Sequence, residues 1–166
     1  MIWVTPLSQL KQTMQDARPR YIVSLASVGS EPVKPEGVAA ENYLSLSMHD
    51  IAEPREGYVA PSIDHVARIL EFGRRWNGQG ALVIHCYAGI SRSTAAAYVI
   101  AATLQPQREE AELAAQLRRQ SPSATPNPLV VAHADHLLGR QGRMVKAIRE
   151  IGRGADAYEG SPFCLV

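Results

Sequence analysis

Cysteine is nearly absent, with only Cys86 in the middle of the chain and Cys164 near its end. Two thiols are too few for a disulfide framework, so a thiol kept reduced is available for chemistry. Cys164 also lies one residue too late for a C-terminal prenylation box, so no lipid anchor is expected. Charge of one sign is lacking too: 17 basic residues face 16 acidic ones. That balance argues against general attraction to nucleic acid or to membrane surfaces. There is no long uninterrupted apolar run, because His85, Cys86, Ser91, Arg92 and Ser93 break the stretch from Ala81 to Leu104 and make membrane insertion expensive. The opening MIWVTPLSQLKQ has no basic segment leading into an apolar run and a small-residue cleavage site, so the expected location is cytoplasmic.

What is present is a soluble globular composition of 166 residues, 46% of them hydrophobic, enough for one domain with its own core. Ile2 to Thr5, Tyr21 to Leu25 and Tyr43 to Ser47 are rich in β-branched and aromatic residues and read as strands. Ser8 to Ala17 has a helical face through Leu10 and Met14 before Pro19 stops it. The stretches Val28 to Glu41 and Asp50 to Pro61 carry proline and glycine and read as loops. From Pro61 the apolar residues Ile63, Val66, Leu70 and Trp76 recur at helical spacing, with Asp64 favourably placed in the first turn.

Ala81 to His85 is a short apolar run after glycines, the pattern of a strand buried on both faces. A tight turn follows, then an alanine-rich helix from Ser93 to Leu104. Two more helices are expected, Arg108 to Arg119 and Pro128 to Leu138. The second continues, after a break at Gly139 and Gly142, through Ile151. The fold class is therefore α/β, a central mostly parallel sheet flanked by helices. Residues 1–151 are expected to form one catalytic domain, and residues 152–166 a flexible C-terminal tail.

The segment HCYAGISRS, His85 to Ser93, places a cysteine at a strand end facing a short loop that runs into a helix start. Such a loop turns backbone N–H groups inward, and the helix dipole adds positive potential at the same point, which together bind a tetrahedral oxyanion. Gly89 permits the unusual backbone angles the turn needs. Arg92 returns at the loop's end with a planar fork for two oxygens. A helix amino terminus and a nearby cation favour thiolate over thiol, and a thiolate under a bound phosphate is set for in-line attack on phosphorus. The cradle and Arg92 offset the developing charge, so no metal and no cofactor is called for.

His-Cys, five residues, Arg and Ser resembles the phosphate-loop motif of the cysteine-dependent protein tyrosine phosphatases. The AGISRS run is similar to their dual-specificity branch, particularly its compact bacterial members. The likeness extends over the element order from about Trp3 to Leu138 and includes the Asn127-Pro128 pair ahead of a late helix. This resemblance implies Cys86 as nucleophile and Arg92 as phosphate clamp. The backbone of Cys86, Tyr87, Ala88, Gly89, Ile90, Ser91 and Arg92 corresponds to the cradle for phosphate or other oxyanions. It further implies Ser93 as the hydroxyl that assists departure of the cysteine, and His85 as the imidazole that tunes the thiolate's surroundings.

The family takes its general acid from an aspartate on an upstream mobile loop, and position in the chain order points to Asp50, with no Trp-Pro-Asp triplet to mark it. Glu53 and Glu56 share that loop. The implied activity is hydrolysis of phosphoprotein or small phosphate monoesters, phosphotyrosine first and phosphoserine or phosphothreonine second. Two alternatives stand beside it: a non-catalytic phosphate-binding module, and a sulfur-transferring or redox enzyme in which Cys86 and Cys164 pair. His133, Asp135 and His136 suggest a metal cluster at first sight, but lack a further ligand at fitting spacing and read as a solvated helix surface.

Overall fold

The computed structural model describes every residue from Met1 to Val166. Strand β1 (Ile2–Pro6) leads through a turn of 3-10 helix into α1 (Leu10–Ala17), then β2 (Tyr21–Ala26) and β3 (Tyr43–Ser47). Next come α2 (Ile63–Trp76), β4 (Leu82–Cys86), α3 (Arg92–Leu104), α4 (Glu110–Gln120), α5 (Pro128–Leu137), α6 (Arg143–Ile151) and a short β5 (Phe163–Cys164). The sheet order is β3-β2-β4-β1-β5, parallel throughout except for the antiparallel β5 at one edge. No helix is long and apolar enough to cross a membrane.

The crossover from β1 to β2 and the crossover from β3 to β4 run in opposite directions along the sheet. With right-handed connections their helices fall on opposite faces. Helix α1 therefore lies alone on one face against β1 and β4, while α2 and α3 pack together on the other, joined by α4 to α6. Strand β4 sits between β1 and β2 and is buried at all positions from Leu82 to Cys86, as its unbroken apolar run requires. The carboxyl end of such a central strand, where neighbouring connections diverge, is where open parallel sheets hold their ligands. Cys86 stands there.

Helix α3 is buried from Arg92 through Ala102. Its run of alanines lets it lie close to the sheet and to α2: a methyl at Gly73 would come within 3.1 Å of the Ile100 side chain. Helix α2 is held at both ends, by a Ser62–His65 capping box and by Asn77 in a left-handed conformation (φ 46°). The break between α5 and α6 falls at Gly139 (φ 63°) and Gly142 (φ 84°).

The stretch after Gly152 differs from the flexible tail expected of it. Residues 152–166 run back across the molecule as a strap, and Phe163–Cys164 joins the sheet beside β1. Leu165 N–H donates to Ile2 O (2.8 Å) and Ile2 N–H to Val166 O (2.8 Å). Two apolar residues, Phe163 and Leu165, are buried by this pairing, and a two-residue strand is too short for periodicity to signal it.

Candidate active site

The loop from Tyr87 to Ser91 is held from outside by its carbonyls. Tyr87 O accepts from Leu7 N–H (3.1 Å), Ala88 O from Gly160 N–H (2.8 Å), Ile90 O from Thr125 N–H (2.9 Å) and Ser91 O from Asn127 N–H (3.2 Å). These four donors come from three separate parts of the chain. None of the amides from Tyr87 to Ser91 donates to another protein group. With the carbonyls fixed outward, the amides form an unpaired set of donors above the amino terminus of α3, the arrangement that binds an oxyanion. Gly89 (φ 69°) has no alternative here, because a methyl at that position would meet Pro6 N at 2.7 Å.

Three side chains converge on this nest. Cys86 Sγ lies 3.1 Å from Ser93 Oγ, both residues buried, so the hydroxyl can donate to a thiolate. Ser93 is thereby committed to the sulfur, one residue inside α3, and is not the helix cap; the cap position belongs to Ser91. Arg92, 3% exposed, uses Nη1 to donate to Met48 O (2.7 Å) and Ser27 Oγ (3.3 Å), which fixes the plane of the guanidinium. Its Nε is buried with no hydrogen-bond partner, a costly state in a protein interior unless the donor serves an anion.

Asp50 stands on the far side of the loop. Its Oδ1 accepts from Ser91 Oγ (2.6 Å) and from Asn127 Nδ2 (2.9 Å), and its Oδ2 lies 3.9 Å from Arg92 Nε. Oδ1 is thus doubly engaged, whereas Oδ2 makes no hydrogen bond in the protein.

No family model matches the sequence, and no curated protein does either. Solved structures do match. DUSP15 superposes with a TM-score of 0.63 at 17% identity, over 90% of this chain and 90% of its own. The human tyrosine phosphatase-like serine/threonine/tyrosine-interacting protein gives 0.62 at 17% identity over 84% of this chain and 92% of its own. PTPMT1 gives 0.61 at 13% identity over 92% and 96%. The chain has the dual-specificity phosphatase fold. The central mostly parallel sheet flanked by helices that the sequence led us to expect is that fold's framework, here with five strands.

Within this phosphatase fold the predicted site residues Cys86, Arg92, Ser93 and Asp50 are brought together, as are the loop residues Tyr87, Ala88, Gly89, Ile90 and Ser91. The loop bearing Asp50 is tied down, contrary to the mobility expected of it. Asn127 Nδ2 also donates to Ile51 O (3.1 Å), and His49 N–H donates to Val59 O (2.7 Å), pinching the loop at its base. Asn127, noted in the sequence only as half of the Asn-Pro pair ahead of a late helix, has a contact that sequence reasoning did not foresee. It is 2% exposed, and its Oδ1 caps α5 through Leu129 N–H (3.1 Å) and Val130 N–H (3.2 Å) while its amide holds the loop at Asp50 and Ile51. An Asn before a helix-starting Pro signals a cap. Nothing local signals its second contact, 77 residues away in the chain.

His85 lies beneath the loop on the α1 face, 2% exposed, with neither ring nitrogen hydrogen-bonded in the protein. Burial pulls its imidazole down to about 4, and the neighbouring Cys86 backbone opposes this only in part. The ring is neutral at pH 7 and adds no positive charge under the sulfur. Cys164 pairs with Trp3 on β1, whereas Cys86 pairs with Pro6. That offset is about 10 Å along the strand, beyond disulfide reach. Asp135 is buried rather than solvated: its carboxylate accepts from Gly142 N–H (2.6 Å) and Met144 N–H (2.8 Å) at the start of α6. His133 Nε2 lies 3.2 Å from Pro61 O. Asp135 thereby ties α5 to α6, and His133 ties α5 to the segment ahead of α2.

Proposed function

We propose that this protein is a phosphoprotein phosphatase hydrolysing phosphate monoesters, phosphotyrosine foremost and phosphoserine or phosphothreonine as well, through a phosphocysteine. The observation that carries the reading is the set of unpaired amides from Tyr87 to Ser91, closed by a guanidinium whose Nε makes no hydrogen bond in the protein and meets the Asp50 carboxylate only at 3.9 Å. A phosphate dianion satisfies all of these donors at once.

In the first step the Cys86 thiolate attacks phosphorus, and the bond to the ester oxygen breaks. Asp50 delivers its proton from Oδ2 to that oxygen, so a neutral alcohol or phenol leaves. In the second step water attacks the phosphocysteine while the Asp50 carboxylate takes a water proton. Sulfur departs as thiolate, assisted by the Ser93 hydroxyl 3.1 Å away, and inorganic phosphate is released. Arg92 grips two equatorial oxygens throughout, its plane already set by Met48 and Ser27. The separation of Cys86 from Cys164 disfavours a redox role that pairs the two thiols.

The test is hydrolysis of a simple aryl phosphate by the purified protein, with sensitivity to orthovanadate. Wild-type turnover that disappears in Cys86→Ser supports the reading. Absence of turnover in the folded wild type, with vanadate still bound, would replace it by a phosphate-binding module.

A further inference from the structure

The strap formed by residues 152–166 touches the phosphate loop itself, which a tail that merely completes the sheet has no need to do. Gly154 N–H donates to Thr125 Oγ1 (3.1 Å), and Ala155 N–H to Pro122 O (2.9 Å). Further on, the Glu159 carboxylate accepts from Ser8 Oγ (2.8 Å) and Gln9 Nε2 (3.5 Å). Gly160 N–H then donates to Ala88 O, and the backbones are so close that a methyl on Gly160 would lie 3.1 Å from Gly89 O. The chain is thus fixed on both sides of Tyr158.

Tyr158 is nevertheless 83% exposed, and the residue it reaches, Tyr87, is 63% exposed; their hydroxyls are 3.4 Å apart. Tyr87 directly follows Cys86. Large exposed rings held on anchored backbone mark a recognition surface, because a tyrosine offers a broad contact face at low conformational cost.

Of the two, Tyr87 lines a cavity of about 150 Å³ beside the sulfur, together with Cys86, His85, Leu7, Leu25 and Pro32 among others, and Tyr158 reaches that cavity's edge only through Tyr87. A mostly apolar cavity of this size accepts one aromatic ring. No lysine or arginine lines it. The carboxylates nearest in the chain are Glu31, between the lining residues Ser30 and Pro32, and Glu159 on the strap. A heavily anionic carrier group would meet repulsion here without a compensating cation.

We propose that Tyr158 is a specificity-determining residue of this site. With Tyr87 it forms an aromatic rim outside the cavity, and the strap thereby selects phosphate esters of extended planar aromatic alcohols over those of small alkyl alcohols. This rests on the phosphatase reading above. Nothing local in the sequence marks Tyr158, because its role depends on a strap returning to a loop 71 residues earlier.

The experiment measures kcat and KM for naphthyl phosphate and for ethyl phosphate, with orthovanadate inhibition in parallel, in the full-length wild type, Tyr158→Ala, Tyr158→Phe and Tyr87→Ala. An aromatic contact of ordinary strength corresponds to a roughly three- to tenfold rise in KM for the naphthyl ester in Tyr158→Ala. In that variant kcat, the ethyl ester and vanadate inhibition stay at wild-type values, and Tyr158→Phe restores most of the lost binding. Tyr87→Ala weakens the naphthyl ester at least as much. A parallel fall for both esters with weakened vanadate inhibition, or no change for either ester, overturns the role of Tyr158. A wild type that binds vanadate and hydrolyses neither ester overturns the phosphatase reading, and the inference with it.

Discussion

Replacing Asp50 by asparagine removes a transferable proton from the site while leaving the residue's anchoring intact. In the wild type Oδ1 accepts from Ser91 Oγ and Asn127 Nδ2, and an amide oxygen accepts both bonds equally well. The oxygen that changes is Oδ2, 3.9 Å from Arg92 Nε, where the asparagine presents an amide that cannot protonate a leaving group. General acid catalysis by a positioned carboxyl is worth about 10²- to 10⁴-fold, or roughly 3–5 kcal/mol of barrier. That whole factor is expected for an ester whose alcohol leaves poorly, such as an alkyl or unsubstituted phenyl phosphate. An ester with an acidic leaving group, such as nitrophenyl phosphate, departs without help and should lose about tenfold or less. The assay compares kcat for the two esters in wild type and Asp50→Asn, with orthovanadate inhibition as a check on the anion nest. Removing a negative charge close to Arg92 should leave vanadate binding unweakened. Equal losses for the two esters, or none for either, would refute the assignment of Asp50 as the acid.

Gly89→Ala places a methyl 2.7 Å from Pro6 N at a φ of 69°. It should weaken vanadate inhibition and lower kcat/KM by about tenfold or more. Gly29→Ala has a similar φ of 79° with nothing within 4 Å, so it controls for backbone strain alone and should leave both quantities near wild type. Equal behaviour of the two variants would show that close packing against Pro6 is not what shapes the loop. Burial holds His85 at about 4 in the folded protein, below its ordinary 6.5. Between those values the unfolded chain binds the extra proton, so stability is fully present above pH 6.5 and declines as pH falls to 4, by roughly 3 kcal/mol. Urea unfolding at pH 7 and pH 4.5 should show this decline in wild type and a flatter response in His85→Gln; parallel responses would place the proton uptake elsewhere.

Local pattern was sufficient for the strand, tight loop and helix around Cys86. The residues that signal that loop lie within one short segment, and an apolar run, a glycine and a helix start each have a local physical cause. The same holds for the break at Gly139 and Gly142. Asp50 was legible only through its place in the order of elements, since nothing adjacent to it in the chain says what it will face.

The sequence by itself determined the α/β class, the central buried strand, and the placing of Cys86 and Arg92 at the two ends of one tight loop. Tertiary structure alone decided that Asn127 and Ser91 pin the acid loop, that Arg92 keeps one free buried donor, that His85 is neutral, and that the C-terminal strap returns to bring Tyr158 against Tyr87. The division follows from range. Backbone propensity and periodicity act over a few residues, whereas these contacts join positions 36 to 77 or more residues apart, whose meeting is fixed only when the sheet and its two helical layers have packed.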